Sequence, residues 1–179
     1  MIETARLSLR NWRDTDLAPF AEMTRDPEVM AHLGGVPDDP ESAAAEMIAR
    51  QQAVAAAQGQ CFWAIERRGD GALLAFCGLR LGGHAGTPVT DELEIGWRLR
   101  RDAWGQGYAK EAALASIAWG WEHSPRDRIS AWTVPANVAS WGLMRRLGMT
   151  PRPGLDFDHP SFAAGHPLCR HLVYVIDRP

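Results

Sequence analysis

The stretch from Leu93 to Trp121, LEIGWRLRRDAWGQGYAKEAALASIAWGW, constrains the fold of this chain more than any other. Leu93, Ile95, Trp97 and Leu99 alternate with Glu94, Gly96, Arg98 and Arg100, the period of a half-buried strand. Arg100, Arg101 and Asp102 end that pattern, and Trp104-Gly105-Gln106-Gly107-Tyr108-Ala109 follows. In the alanine-rich segment beyond, Ala109, Ala113, Ile117 and Trp121 are spaced four apart, with Ala112 and Leu114 beside them. One face of a long helix is then apolar. A strand, a glycine turn and a helix in that order commit the chain to packing helix against sheet.

The junction has a chemical use. A helix begins with backbone N–H groups that lack partners, and its dipole is positive there. Gly105 and Gly107 put no side chain between that backbone and a ligand, so a phosphate can sit on it. A tight turn that merely contains glycines is the plainer alternative. Two known phosphate loops do not fit. A Walker loop ends in Gly-Lys-Ser/Thr, and Ala109-Lys110-Glu111 supplies nothing of the kind. A dinucleotide fingerprint needs a third glycine where Lys110 stands. A phosphate cradle of another kind remains.

On these residues the chain resembles the GNAT (GCN5-related) N-acetyltransferases, whose acyl-CoA pyrophosphate loop follows a strand as Gln/Arg-x-x-Gly-x-Gly/Ala and opens a helix. The pattern falls on Trp104, Gly107 and Ala109. Trp104 departs from Gln/Arg, but W-G-Q-G-Y-A-x-E-A is similar to the form found in the RimJ/RimL-like branch, which acetylates ribosomal-protein N-termini. The resemblance runs from Arg6 to about Tyr174. It implies acetyl-CoA as cosubstrate and an amine as acceptor, either a protein N-terminus or a small molecule. It also implies that backbone groups of Trp97, Arg98 and Leu99 meet the pantetheine arm. The pyrophosphate would meet the N–H groups of Gly105, Gln106, Gly107, Tyr108 and Ala109. Lys110 or Arg146 would add charge, unless each is simply a solvated helix residue.

Asn137-x-x-Ser140, within N-x-x-S-x-x-L-M-R-R-L-G-M, is the second motif. Residues three apart share one helix surface. In the family a matching Asn hydrogen-bonds the pantetheine arm and a Ser or Tyr near the thioester sulfur assists thiolate departure. Asn137 is also a good helix N-cap in its own right.

The reaction implied is attack of a neutral amine on a thioester. Deprotonating a lysine amine at pH 7 costs about 4.6 kcal/mol, against about 1.4 kcal/mol for an α-amine. A lysine acceptor therefore needs a base and an N-terminal one needs little help. Glu94, on the central strand, is the first candidate base, with an exposed strand carboxylate beside Asp91 and Glu92 as the alternative. His159, His166 and His171 lie close in sequence, but spacings of seven and five do not place ligands on one helical turn, so no metal is expected. That segment reads either as a polar loop flanking the acceptor or as histidines packed on neighbouring prolines.

Length and composition limit the alternatives. A chain of 179 residues fits one domain, taken here as 1–179. A net charge of -3 gives no basic field for nucleic acid. No apolar run is long enough to span a membrane, and no signal-peptide pattern opens the chain, so a cytoplasmic protein is expected. Cys61, Cys77 and Cys169 form no C-x-x-C and read as buried thiols. Many relatives pair as dimers, which leaves a homodimer open. Two other functions stand beside the enzyme: an acyl-CoA-binding regulatory module without turnover, and nucleotide binding through the glycine loop.

Read in order, the chain starts with a strand at Arg6–Asn11. A helix follows through Met23 with Asp14 as N-cap, then a helical turn after Asp26-Pro27 and a helix over Glu41–Gln58. Strands follow over Cys61–Glu66, Leu73–Leu81 and Val89–Leu99, then the long helix. A strand over Arg128–Val134, a helix ended by Gly148 and a strand over Leu168–Ile176 complete it. By the family resemblance Trp12, His32 and Leu33 could wall the acceptor site, with a core or loop role as the alternative for each. This order gives an α/β, mixed α+β fold: a central, largely antiparallel mixed sheet of about six to seven strands, with helices on both faces.

Overall fold

The computed structural model describes all residues, 1–179. Its strands are β1 (Ile2–Glu3), β2 (Leu7–Arg10), β3 (Phe62–Arg67), β4 (Leu73–Gly82), β5 (Glu92–Leu99), β6 (Arg128–Thr133), β7 (Thr150–Pro151), β8 (Phe157–Asp158) and β9 (Arg170–Asp177). Its helices are α1 (Leu17–Thr24), α2 (Pro27–Met30), α3 (Pro40–Gln58), α4 (Tyr108–His123) and α5 (Val138–Arg146). The sheet has nine strands in the order β1-β2-β3-β4-β5-β6-β9-β7, with β8 also paired to β9. The expected six are all present. β1, β7 and β8 are two-residue strands, too short to carry an alternating pattern, and so exceed the expected count.

Every pairing is antiparallel except β5 with β6, and that parallel pair is brief. β5 pairs with β4 from Glu92 to Leu99, whereas its register with β6 is confined to Glu94 opposite Ser130. Past that point the two strands diverge. The end of β5 keeps one neighbour and leaves its other edge open.

The two faces of the sheet carry separate cores. Leu93, Ile95 and Leu99 pack with α4, whose Ala112, Ala113 and Ile117 are buried, and with Leu143 and Met144 of α5. Leu114, expected on that buried face, is exposed instead, because the buried stripe runs through Tyr108, Ala112, Ser116 and Gly120. On the other face Phe62, Phe76, Phe20 and Trp12 form the core under α1 and α3. β5 is therefore covered on both faces near its start rather than half-buried.

Local signals set most helix ends. Asp26 accepts the N–H groups of Glu28 and Val29, Asp39 accepts that of Ser42, and proline opens both α2 and α3. α5 ends in a Schellman motif: Met149 N–H bonds Met144 O at 3.0 Å and Gly148 N–H bonds Arg145 O at 3.1 Å, with Gly148 at φ +84. Asp14 caps nothing. It opens a 3₁₀ turn, and Asp16 takes the structural role by accepting two bonds of 2.8 Å from the Arg10 guanidinium and one of 2.8 Å from Arg13 N–H. The three cysteines are free and buried.

Candidate active site

Where β5 and β6 part, a cleft of about 810 Å³ opens through the sheet. That volume suits a sizeable small-molecule ligand. One wall is the turn and first residues of α4; the others are the end of β5, the first turns of α5, and α2 with the segment after it. Trp97, Arg98, Leu99, Trp104, Gly105, Gly107, Tyr108, Ala109, Lys110, Asn137, Ser140 and Arg146 all line it. His32 and Leu33 line it too, as do Glu28, Val29, Ala103, Ala136, Val138 and Leu143. These last six carry no distinctive chemistry in the sequence. Their only signal is adjacency to the two motifs or to the Asp26-Pro27 turn. Trp12 is elsewhere: its indole N–H bonds Phe62 O at 2.7 Å inside the aromatic core.

The glycine turn is built to expose backbone. Gly105 and Gly107 sit at φ +72 and +80, a region in which any other L-residue is strained. From Gly105 to Lys110 no N–H reaches a backbone acceptor; the first that does is Glu111, which bonds Gly107 O at 3.0 Å. Six successive donors at a helix start make a cradle for an anion, which is the test an acyl-CoA pyrophosphate must pass. Lys110 and Arg146 are exposed on the cleft and free of ion pairs, so their charges are available to phosphate. Gln106 is turned away from the cleft, its side-chain amide donating to Asp102 O at 2.6 Å.

Three anchors fix the turn. Trp104 donates its indole N–H to Leu99 O at 2.8 Å, tying the turn to the end of β5, which explains a tryptophan in place of Gln/Arg. Arg6 bonds Gln106 O at 3.0 Å and covers the Tyr108 ring at 4.4 Å. Glu111 accepts from Thr4 Oγ1 at 2.6 Å, from Arg6 N–H at 2.9 Å and from Arg6 Nε at 2.7 Å. Burial alone would raise the Glu111 carboxyl, but these bonds outweigh it and hold it below its ordinary range.

Asn137 caps α5: its Oδ1 accepts Ser140 N–H at 3.2 Å. The cap engages only the oxygen, so the amide N–H₂ remains for a ligand. Ser140, half-buried one turn into α5, presents its side chain to the same cleft.

Glu94 is neither an exposed carboxylate nor a wall of this cleft. It is buried, and Arg80 binds its Oε2 through Nε at 2.8 Å. Burial raises its carboxyl against the pull of Arg80. Its neighbour Glu92 is tied to Arg128 and to Ser130. The histidine segment is also away from the cleft lining. His159 lies 4.1 Å from His84 and 5.1 Å from His171, ring centre to ring centre, with Phe157 against them. His166 stacks on Phe162 at 4.9 Å rather than on proline. Burial lowers the pKa of His84, His159 and His171 alike, so the group is an uncharged aromatic cluster at neutral pH.

Known proteins resemble this chain in sequence and in fold. Residues 6–150 match the family described as acetyltransferase (GNAT) domain. The Bacillus subtilis protein YkkB is 31% identical over 151 residues, covering 82% of this chain and 83% of that one. Among solved structures, an acetyltransferase from Agrobacterium tumefaciens superposes with a TM-score of 0.77 at 24% identity, over 99% of this chain and 94% of that one. A spermidine N-acetyltransferase from Vibrio cholerae, solved with CoA and spermine, superposes with a TM-score of 0.73 at 13% identity, over 97% and 96%. At such identities these two likenesses speak for the fold alone. The family match over 6–150 and the likeness to YkkB carry the assignment: the chain belongs to the GNAT acetyltransferases, enzymes that transfer an acetyl group from acetyl-CoA to an amine.

Proposed function

We propose that this chain, acting as one catalytic domain over 1–179, acetylates a primary amine by its direct attack on acetyl-CoA, in the manner of the RimJ/RimL-like branch. The observation that carries the reading is the run of unpartnered N–H groups from Gly105 to Lys110, opening on a cleft that continues to the free edge of β5. Pyrophosphate oxygens accept from the turn, with Lys110 and Arg146 beside them. The pantetheine arm follows the backbone of Trp97, Arg98 and Leu99 and meets the Asn137 amide. The thioester then lies near Ser140. The amine nitrogen bonds the carbonyl carbon, the C–S bond breaks, and Ser140 donates a hydrogen bond to the departing sulfur. A free thiol has a pKa near about 8.5, so this hydroxyl is a modest aid. One proton leaves the nitrogen and one reaches the thiolate.

The test is thiol release from acetyl-CoA over a panel of primary amines, with the amide product weighed by mass spectrometry. Amine-dependent release, one thiol for each amide, is expected. Acetyl-CoA binding with no release on any amine would remove the reading.

Glu94 takes the proton through an intervening water, because it sits off the cleft wall. Its raised pKa fits a base: activity falls as pH drops through a value above the ordinary carboxylate range. Glu94→Gln is expected to lower kcat about 100-fold and to remove that acidic limb, leaving only the limb set by the amine itself. A pH–rate profile that keeps both limbs, with kcat within about threefold of wild type, would exclude Glu94 as the base.

A further inference from the structure

One end of the cleft, the side of α1 and α2, contains a cation without a counter-charge. Arg98 leaves β5 on the face it shares with Glu94 and Gly96. Its guanidinium lies over the rings of Phe76 at 5.4 Å and Phe20 at 6.0 Å, and it lines the cleft. Other inward-facing arginines are neutralised: Arg10 by Asp16 at 2.8 Å and Glu66 at 2.7 Å, Arg80 by Glu94 at 2.8 Å. Arg98 makes no such pair. Its Nε is the one buried side-chain polar atom in the chain without a hydrogen-bond partner. The acid nearest in the cleft wall, Glu28, is bound to Arg101 at 2.8 Å. Burial, with a further push from the charge of Arg50, brings Arg98 down to about 10, so it stays cationic at neutral pH.

A half-buried cation whose Nε is buried and unmet costs stability and calls for a partner from outside the chain. Its fork of donors, backed by two aromatic rings, matches a carboxylate. We propose that Arg98 anchors a carboxylate carried by the acceptor, so that the amine substrate is a carboxylate-bearing small molecule, such as an amino acid. The inference rests on the acetyl-transfer reading above. The same residue offers its backbone to the acyl donor and its side chain to the acceptor. The carboxylate therefore sits one side chain's length from the thioester, a few bonds from the attacking nitrogen. A polyamine would bring a second positive charge towards Arg98 and Arg50.

The experiment compares amino acids with their decarboxylated amines, L-phenylalanine with 2-phenylethylamine and L-methionine with 3-(methylthio)propylamine, by thiol release. In wild type the carboxylate member of each pair is expected to have a kcat/KM about 10- to 100-fold higher. In Arg98→Gln that ratio falls to within about threefold of one, and Arg98→Lys recovers part of it. The ratio cancels any loss common to both amines. Arg98→Met should melt at the wild-type temperature or above it, because it removes an unpaired, half-buried charge; a structural arginine would lose stability. Equal rates on both members in wild type, or a preference that survives in Arg98→Gln, overturns the assignment while acetyl transfer stands. No thiol release with any amine overturns acetyl transfer and the Arg98 assignment with it.

Discussion

The variant Gly107→Glu is expected to melt at one temperature whether or not acetyl-CoA is present, whereas the wild-type protein shifts upward. A ligand at 100 times its dissociation constant stabilises a protein by about 2.7 kcal/mol. For a chain of this length that is a rise of about 5–10 °C. Two effects meet at this position. Gly107 sits at φ +80, so any side chain strains the backbone by about 1–2 kcal/mol and lowers the melting temperature of the free protein. A carboxylate also places negative charge where six N–H groups would receive pyrophosphate. Gly107→Ala separates the two. A Cβ there meets only Arg6 Nη2 at 3.5 Å, so alanine brings the strain with little crowding and no charge. Alanine should keep much of the ligand shift and glutamate should lose it. CoA should behave as acetyl-CoA does, and ATP and NAD should give no comparable shift. An undiminished shift in Gly107→Glu would move the phosphate site away from this turn.

Gly78→Ala is expected to cost more than about 3 kcal/mol of folding stability. Gly78 lies in β4 opposite Phe62. A Cβ there would overlap the Cys61 carbonyl oxygen and lie 2.8 Å from both Trp63 N and the Trp63 ring. Two of those atoms are backbone of the neighbouring strand, which can yield only by breaking sheet pairing. β4 is also the strand that supports β5 along its whole length, so the distortion reaches the cleft. Gly154→Ala is the control: nothing lies within 4 Å of its added carbon, and the change should stay within about 0.5 kcal/mol. Urea denaturation checks both, as a lower midpoint with an unchanged slope for Gly78→Ala. Equal midpoints for the two variants would show that β3 and β4 can separate at that point without cost.

Much of this architecture was legible in the residues because its causes are local. The Gly105–Gly107 turn needs positive φ, and only glycine adopts that freely; the exposed donors of α4 follow from where the helix begins. The same holds for Asp26, Asp39, Asn137 and Gly148, each of which meets a backbone group within five residues of itself. Period-two alternation or short apolar runs bounded by turn residues marked the six longer strands. What escaped depends on which segments and side chains meet, which no short spacing pattern records. β1, β7 and β8 exist only because a partner strand pairs with them. Asp16 rather than Asp14 is the structural acid because Arg10 stands behind it.

The sequence by itself determined the family, the glycine turn with its exposed N–H groups, the Asn137–Ser140 pair and the strand that leads to them, all of which are set by short-range rules of spacing and backbone freedom. Tertiary structure alone decided the chemistry of the face of β5. Glu94 and Arg98 lie on one strand four residues apart and look alike as exposed charges in an alternating pattern. Pairing with β4 sets Arg80 against Glu94, which is buried, while the rings of Phe20 and Phe76 lie against Arg98, which has no acid paired to it. Whether a buried charge is paired depends on which side chains the sheet and helices bring within about 4 Å of it, and no periodicity along the chain carries that information.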